Sequence, residues 1–223
     1  MSREGEASGT GASRTSTKPS GSTRATFHLL SQHALSYNDL RRFPEALRKL
    51  DQVLDITPDD VDTLVVKAAI AQAEGDLPRA SALLAPLHPN ADDINAVETQ
   101  VYQAILERRP AQIIARLKEI LAKPDPALGF YNGELRFWLG WAQEVAGDHA
   151  AAQESWRQAR SELESFLKEQ PENRLLIGDL ALTNMGLGDK AAAFDSGRAG
   201  HGRAPDRERR VGWSRFRSRF SPG

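Results

Sequence analysis

Residues 30–58 read LSQHALSYNDLRRFPEALRKLDQVLDITP, and residues 64–92 read LVVKAAIAQAEGDLPRASALLAPLHPNAD. Laid one on the other, Leu30, Ala34, Phe43, Pro44, Ala46 and Leu50 fall on Leu64, Ala68, Leu77, Pro78, Ala80 and Leu84, every pair 34 positions apart. A shift shared by six positions of matching size is a packing constraint: small residues sit where helices cross closely, and large ones fill the holes between crossings. Within each stretch the apolar residues recur at intervals of three and four, which is a helical period. Pro58-Asp59-Asp60 and Gly75-Asp76 carry the turn chemistry that ends one helix and starts the next. The period and its breaks predict an all-α chain of stacked helix pairs.

The same texture runs outward from these stretches. From Phe27 onward Ala and Leu dominate, and strand signals are nearly absent. Further breaks fall at Pro89-Asn90, Lys123-Pro124-Asp125-Pro126, Gly147-Asp148, Pro171-Glu172-Asn173 and Gly188-Asp189. The chain of 223 residues is 40% apolar and 26% charged, which fits a soluble globular protein. Lys and Arg number 29 against 30 Asp and Glu, so the chain as a whole is not a basic nucleic-acid binder. No stretch approaches the ~18 consecutive apolar residues of a membrane span. With no cysteine at all, disulfides, thiolate metal sites and cysteine nucleophiles are excluded.

These residues resemble a tetratricopeptide repeat, a 34-residue unit of two antiparallel helices with fixed large and small positions. Leu30, Ala34, Tyr37, Ala46, Leu50, Val53 and Pro58 stand in its signature places, with His33 where a Leu is usual. The second unit, 61–93, keeps Leu64, Ala68, Gly75, Ala80 and Leu84, but Pro86 and Pro89 should cut its second helix short. The third, roughly 94–123, is degenerate: Val97, Val101, Ala104, Ile113, Leu117 and Ile120 keep the period while Arg108-Arg109-Pro110 replaces Gly-Asp. Leu139-Gly140, Gly147-Asp148, Ala152, Trp156 and Ala159 mark the fourth, whose second helix runs on to Pro171. Ile177, Leu180, Ala181, Gly188-Asp189 and Ala193 open a fifth. The resemblance covers 26–194 and implies a right-handed α-solenoid of about four and a half units.

Both ends depart from this pattern. Residues 1–25 hold 14 Ser, Gly or Thr and no bulky aliphatic beyond Met1, so they are expected to form a flexible leader, without the apolar core of a secretory signal. At 195–205 Gly and Pro stand where a helix tolerates them poorly, so the second helix of the fifth unit is expected to be missing. Leu175, Leu176, Leu180 and Leu182 would then be partly uncovered, and the open end would favour self-association. Residues 195–223 hold eight Arg, no Lys and three acids, a local charge of +5 that leaves −6 for the rest of the chain. Arg207, Arg209, Arg210, Arg215, Arg217 and Arg219, interleaved with Trp213, Phe216 and Phe220, have the composition of an arm for nucleic acid or acidic lipid. A disordered tail without a ligand is one alternative. Another is a frameshift or gene-end product, since Arg, Gly, Ser and Pro without Lys resemble GC-rich DNA read out of frame.

Catalytic signatures are missing: there is no His-Glu-x-x-His, no Gly-x-x-x-x-Gly-Lys-Ser/Thr, no complete Gly-x-Gly-x-x-Gly and no Gly-x-Ser-x-Gly. The five histidines are scattered without metal-ligand spacing, so no metal or cofactor is expected. Asp59-Asp60 and Asp92-Asp93, at turns between units, read as helix caps. Arg41, Arg42, Arg48 and Lys49 are interspersed with Asp39, Glu45, Asp51 and Asp55, as on a solvated helix face.

In tetratricopeptide arrays the first helix of each unit lines the concave groove. The resemblance therefore implies a binding face of Ser31, Leu35, Asn38, Val65, Ala69, Gln72, Glu98, Tyr102, Phe137, Trp141 and Glu144. Apolar and aromatic anchors with a few polar groups suit a peptide segment or helix of a partner. Members that grip a terminal carboxylate use Lys, Arg and Asn on successive inner faces. The corresponding residues here are Ser31, Leu35, Val66, Asn95 and Thr99, which form no cationic clamp. Residues 26–194 also resemble the repeat portion of bacterial multidomain signalling proteins. The expectation is a noncatalytic, cytoplasmic protein-interaction scaffold, with a nucleic-acid adaptor using the basic tail and an enzyme with an unrecognised site as alternatives.

Overall fold

The computed structural model describes residues 21–202, with side chains over 26–196. Residues 1–20 of the expected leader and the arginines from Arg207 to Arg219 lie outside the described residues. Ten α-helices follow one another: α1 (Gly21–Asp39), α2 (Phe43–Ile56), α3 (Val61–Glu74), α4 (Leu77–Leu84), α5 (Ile94–Leu106), α6 (Ala111–Ala122), α7 (Tyr131–Val145), α8 (His149–Glu169), α9 (Arg174–Gly186) and α10 (Lys190–Gly202). A short 3₁₀ turn over Pro126–Leu128 leads into α7, and no strand occurs among the described residues. The helices pack as consecutive antiparallel pairs, α1 with α2 through α9 with α10, and each pair packs on the next, giving an α-solenoid.

One turn geometry sets the register of all five pairs. Between the two helices of each pair stands a residue with positive φ: Arg41 (55°), Gly75 (80°), Arg108 (55°), Gly147 (83°) and Gly188 (78°). Immediately after it, the next N–H bonds back to the carbonyl five residues earlier. The bonds Arg42–Tyr37, Asp76–Ala71, Arg109–Ala104, Asp148–Gln143 and Asp189–Asn184 all measure 2.9 Å. This closure satisfies carbonyls that the helix end leaves open. Asp76, Asp148 and Asp189 then accept from the N–H three residues on, capping the second helix. The turn residues fall 34, 33, 39 and 41 positions apart. The two longer intervals accommodate the 3₁₀ turn and the 21-residue α8.

Counted from these turns, the core consists of columns. Seven positions before the turn stand Ala34, Ala68, Val101, Gly140 and Ala181; nine after it stand Leu50, Leu84, Leu117 and Trp156. All the side chains of these columns are buried. In the fourth pair Gly replaces Ala and Trp replaces Leu, so lost volume on one helix is filled from the other. Trp156 also lies against Gly186 of α9, and its Nε1 donates to the Phe137 carbonyl at 3.2 Å. The largest apolar cluster runs from α5 to α9, and smaller ones join α1 to α3, α3 to α5 and α8 to α9. As the prolines require, α4 is only eight residues long.

Three expectations are corrected. Helix α1 begins at Gly21, ahead of the expected boundary at 26, and α10 continues past 194 to Gly202. The Asp189 carboxylate bonded to Ala192 N starts α10, and Ala191, Ala192 and Ala193 are strong helix formers. Packing on α9 then carries the helix through glycines that cost about 1 kcal/mol each relative to Ala. Leu176, Leu180 and Leu182 are buried because they face α7 and α8, not the open end. Leu175 alone of the four is exposed, at 47%.

Candidate functional site

The first helices of successive pairs pack side by side, α3 on α5, α5 on α7 and α7 on α9. Their N-terminal ends frame a cavity of about 280 Å³. Helix α3 contributes Val61 and Asp62, α7 contributes Tyr131 and Glu134, and α9 contributes Leu175. The start of α5 supplies Asp92, Asp93, Ile94, Asn95, Ala96 and Glu98. The repeat dictates this convergence: Asp62, Asn95, Glu134 and Leu175 each stand thirteen residues before their own turn. One position of the unit, presented four times, makes the rim.

Five of the lining residues are carboxylic acids, and none is Lys, Arg or His. Asp62, in the first turn of α3, and Glu134, in the first turn of α7, sit where a helix favours negative charge. Asp93 is the N-cap residue of α5, yet its carboxylate accepts from Asn90 N at 2.8 Å and not from the helix it precedes. The capping role expected of Asp60 holds, through Thr63 N at 2.9 Å, while Asp92 and Asp93 face the cavity. Glu134 is 6% exposed and accepts from Trp138 Nε1 at 3.4 Å. Val61 and Leu175 add exposed apolar surface at opposite sides. Among the described residues no group of three or more His, Cys, Asp or Glu could hold a metal ion.

Beside the cavity lies a group of aromatic rings. Trp138 stacks on Trp141 with centroids 5.4 Å apart and planes at 16°. Tyr102 meets Trp141 edge-on at 6.2 Å, and Phe137 lies 6.0 Å from it. Phe137 and Trp138 are buried, whereas Tyr102 and Trp141 are half-buried.

The other residues expected on the binding face divide in the same way. Val65 is buried with Ala68 and Leu84. Gln72 is buried as well, its Nε2 donating to Thr99 O and Gln103 Oε1 at 3.0 Å each, and so ties α3 to α5. Burial between helices removes Val65, Gln72 and Phe137 from an accessible face. Ser31 and Asn38 are half-buried, Leu35 and Ala69 exposed, and Glu98 lines the cavity. Glu144 pairs with His149 at 2.9 Å, and that hydrogen bond, with the carboxylate charge, raises the imidazole pKa. Stepping one helical turn back from Val65, Glu98 and Phe137 reaches Asp62, Asn95 and Glu134. That step, unused in the expected set, leads to the cavity.

No protein-family model matches the chain, and no curated protein matches it. Its fold is similar to that of MamA. One MamA crystal structure shares 16% identity over 79% of this chain and 91% of that one, with a TM-score of 0.48. A MamA from Desulfovibrio magneticus RS-1, residues 41 to the end, shares 19% over 79% and 92%, also at 0.48. A MamA RS-1 ArsTM double mutant shares 20% over 81% and 93%, at 0.47. No helix among the described residues is long and apolar enough to cross a membrane.

Proposed function

We propose that this chain is a noncatalytic protein-interaction scaffold that holds a segment of a partner along the face made by its first helices. The observation that carries this reading is the cavity shared by α3, α5, α7 and α9, where apolar edges stand beside carboxylates. An apolar patch with a few oriented polar groups is what a peptide or an amphipathic helix needs from its receptor. In this reading Glu98, Tyr102 and Trp141 are the residues of the expected face that touch such a segment, with Ser31, Leu35, Asn38, Ala69 and Glu144 farther along; the half-burial of Tyr102 and Trp141 supports it. The resemblance to repeats of bacterial signalling proteins extends the reading to the sensory part of a regulator whose effector lies elsewhere.

Affinity capture with mass spectrometry tests this, comparing the full chain with Tyr102→Ala and Trp141→Ala at matched salt. Circular dichroism establishes that each variant keeps its helices. The expected result is a partner retained by the full chain and lost with both variants. A partner retained equally by all three, or one that is a nucleic acid, would overturn the reading.

A further inference from the structure

We infer that the cavity at the N-terminal ends of α3, α5, α7 and α9 is the docking site of the chain's own Arg-rich segment, residues 203–223, bound in cis. This rests on the reading of that face as the binding face and adds what first occupies it. Three observations converge on this occupant.

The first is charge. Of the five carboxylic acids in the cavity lining, Asp62, Asp92 and Asp93 are exposed and Glu98 is half-buried, while Glu134 is buried, and no cationic residue is among the lining. Residues 203–223 hold seven Arg, no Lys and two acids, a net charge of +5. Guanidinium groups meet carboxylates bidentately, and they also stack on rings such as Tyr131 at the cavity wall. Apolar complementarity is the second: Trp213, Phe216 and Phe220 are interleaved with those arginines, and Val61 and Leu175 offer exposed apolar surface at the rim.

The third is where the segment starts. Helices α9 and α10 are each 13 residues long and form an antiparallel pair joined by a tight turn. Gly202, the end of α10, therefore returns to the level of Arg174 and Leu175, and Leu175 lines the cavity. A stretch of 21 residues, the length that follows Gly202 in the sequence, spans up to about 70 Å when extended, enough to reach the cavity from the end of α10. A short tether keeps the effective concentration of the segment near the millimolar range, so weak pairs suffice to seat it. A partner segment must then displace the arginines, and the scaffold carries its own competitor.

The full chain is well suited to a direct test, because it contains no cysteine. A nitroxide on the thiol introduced by Ser214→Cys should broaden amide signals of Asp62, Ile94 to Glu98, Tyr131 and Leu175, to the same extent on dilution. Raising salt from about 0.05 to about 0.5 M should remove the broadening, since exposed charge pairs are screened. Asp62→Lys with Glu98→Lys should remove it too. So should Arg215→Glu with Arg217→Glu, which leaves residues 21–202 untouched. Broadening that is absent, scattered over the molecule, indifferent to both charge reversals or dependent on concentration would overturn docking in cis. The same holds if an RNA oligonucleotide shifts the segment's signals while the cavity signals never broaden. Partner capture that depends on Tyr102 without such broadening would leave the scaffold reading standing and this inference refuted. Broadening at the cavity without Tyr102-dependent capture would do the reverse.

Discussion

The indole of Trp156 lies against Gly140, so close that a β-carbon on that glycine would meet indole atoms at 2.6 Å. Earlier pairs place Ala or Val opposite Leu at these positions, as in Ala34 with Leu50 and Ala68 with Leu84. The Gly-Trp pairing is thus a volume exchange within a repeating pattern. Gly140→Ala should destabilise the chain by about 1–3 kcal/mol, the ordinary cost of overpacking. Adding Trp156→Leu should recover much of that loss, because the double variant restores the pattern of the other pairs. Urea denaturation of the two single variants and the double variant checks this, and simple additivity would contradict it.

The five turns differ in chemistry while sharing one geometry. Arg41 and Arg108 hold φ at 55°, a conformation that costs a non-Gly residue about 1–2 kcal/mol. Arg108→Gly should raise stability by up to about 1 kcal/mol, the gain reduced by glycine's greater freedom in the unfolded chain. Gly147→Ala should lower it by about 1 kcal/mol on backbone conformation alone, since nothing lies within 4 Å of its added β-carbon. Thermal melts of the two variants should shift in opposite directions.

Helix α10 depends on its cap. Asp189→Ala removes the acceptor for Ala192 N and should cost about 1 kcal/mol. The loss should be local, appearing as faster amide exchange over Lys190–Gly202 while α5 to α8 keep their protection. Uniform acceleration along the chain would contradict it.

His149 provides a pH readout at the turn between α7 and α8. Its hydrogen bond to Glu144 and the charge of that carboxylate hold its pKa above the usual 6.5. A folded-state pKa above the unfolded one means that the contribution to stability is complete below about 6.5 and fades as pH rises through the raised value. Both side chains are exposed, so the effect is small. An NMR titration of the His149 ring should give a pKa above 6.5 that returns toward it in Glu144→Gln.

The first two units were legible because their six paired positions repeat at 34 residues and carry bulk of matching size. The third was blurred because Arg108 adopts the turn conformation that Gly75 and Gly147 adopt, and an Arg carries no conformational signature. The glycines of α10 hide it in the sequence, because they lower propensity without abolishing a helix that is capped and packed on a neighbour. The expected binding face lies on the first helices, and the cavity opens on those same helices. Its residues were drawn from positions that include Val65, Gln72 and Phe137, which pack between helices, while the cavity opens one turn nearer the N-termini. Which side of a first helix faces its neighbour depends on how the pairs stack, and a single sequence does not encode that stacking as a pattern.

The most direct measurement of whether the first helices form the binding face is hydrogen exchange on the full chain with and without a partner segment obtained by capture. Slowed exchange confined to the first turns of α3, α5 and α7 and to the Tyr102 and Trp141 region is the result expected. Slowing confined to the second helices α4, α6 and α8, with the first helices unchanged, would place recognition on the opposite side of the solenoid and contradict it.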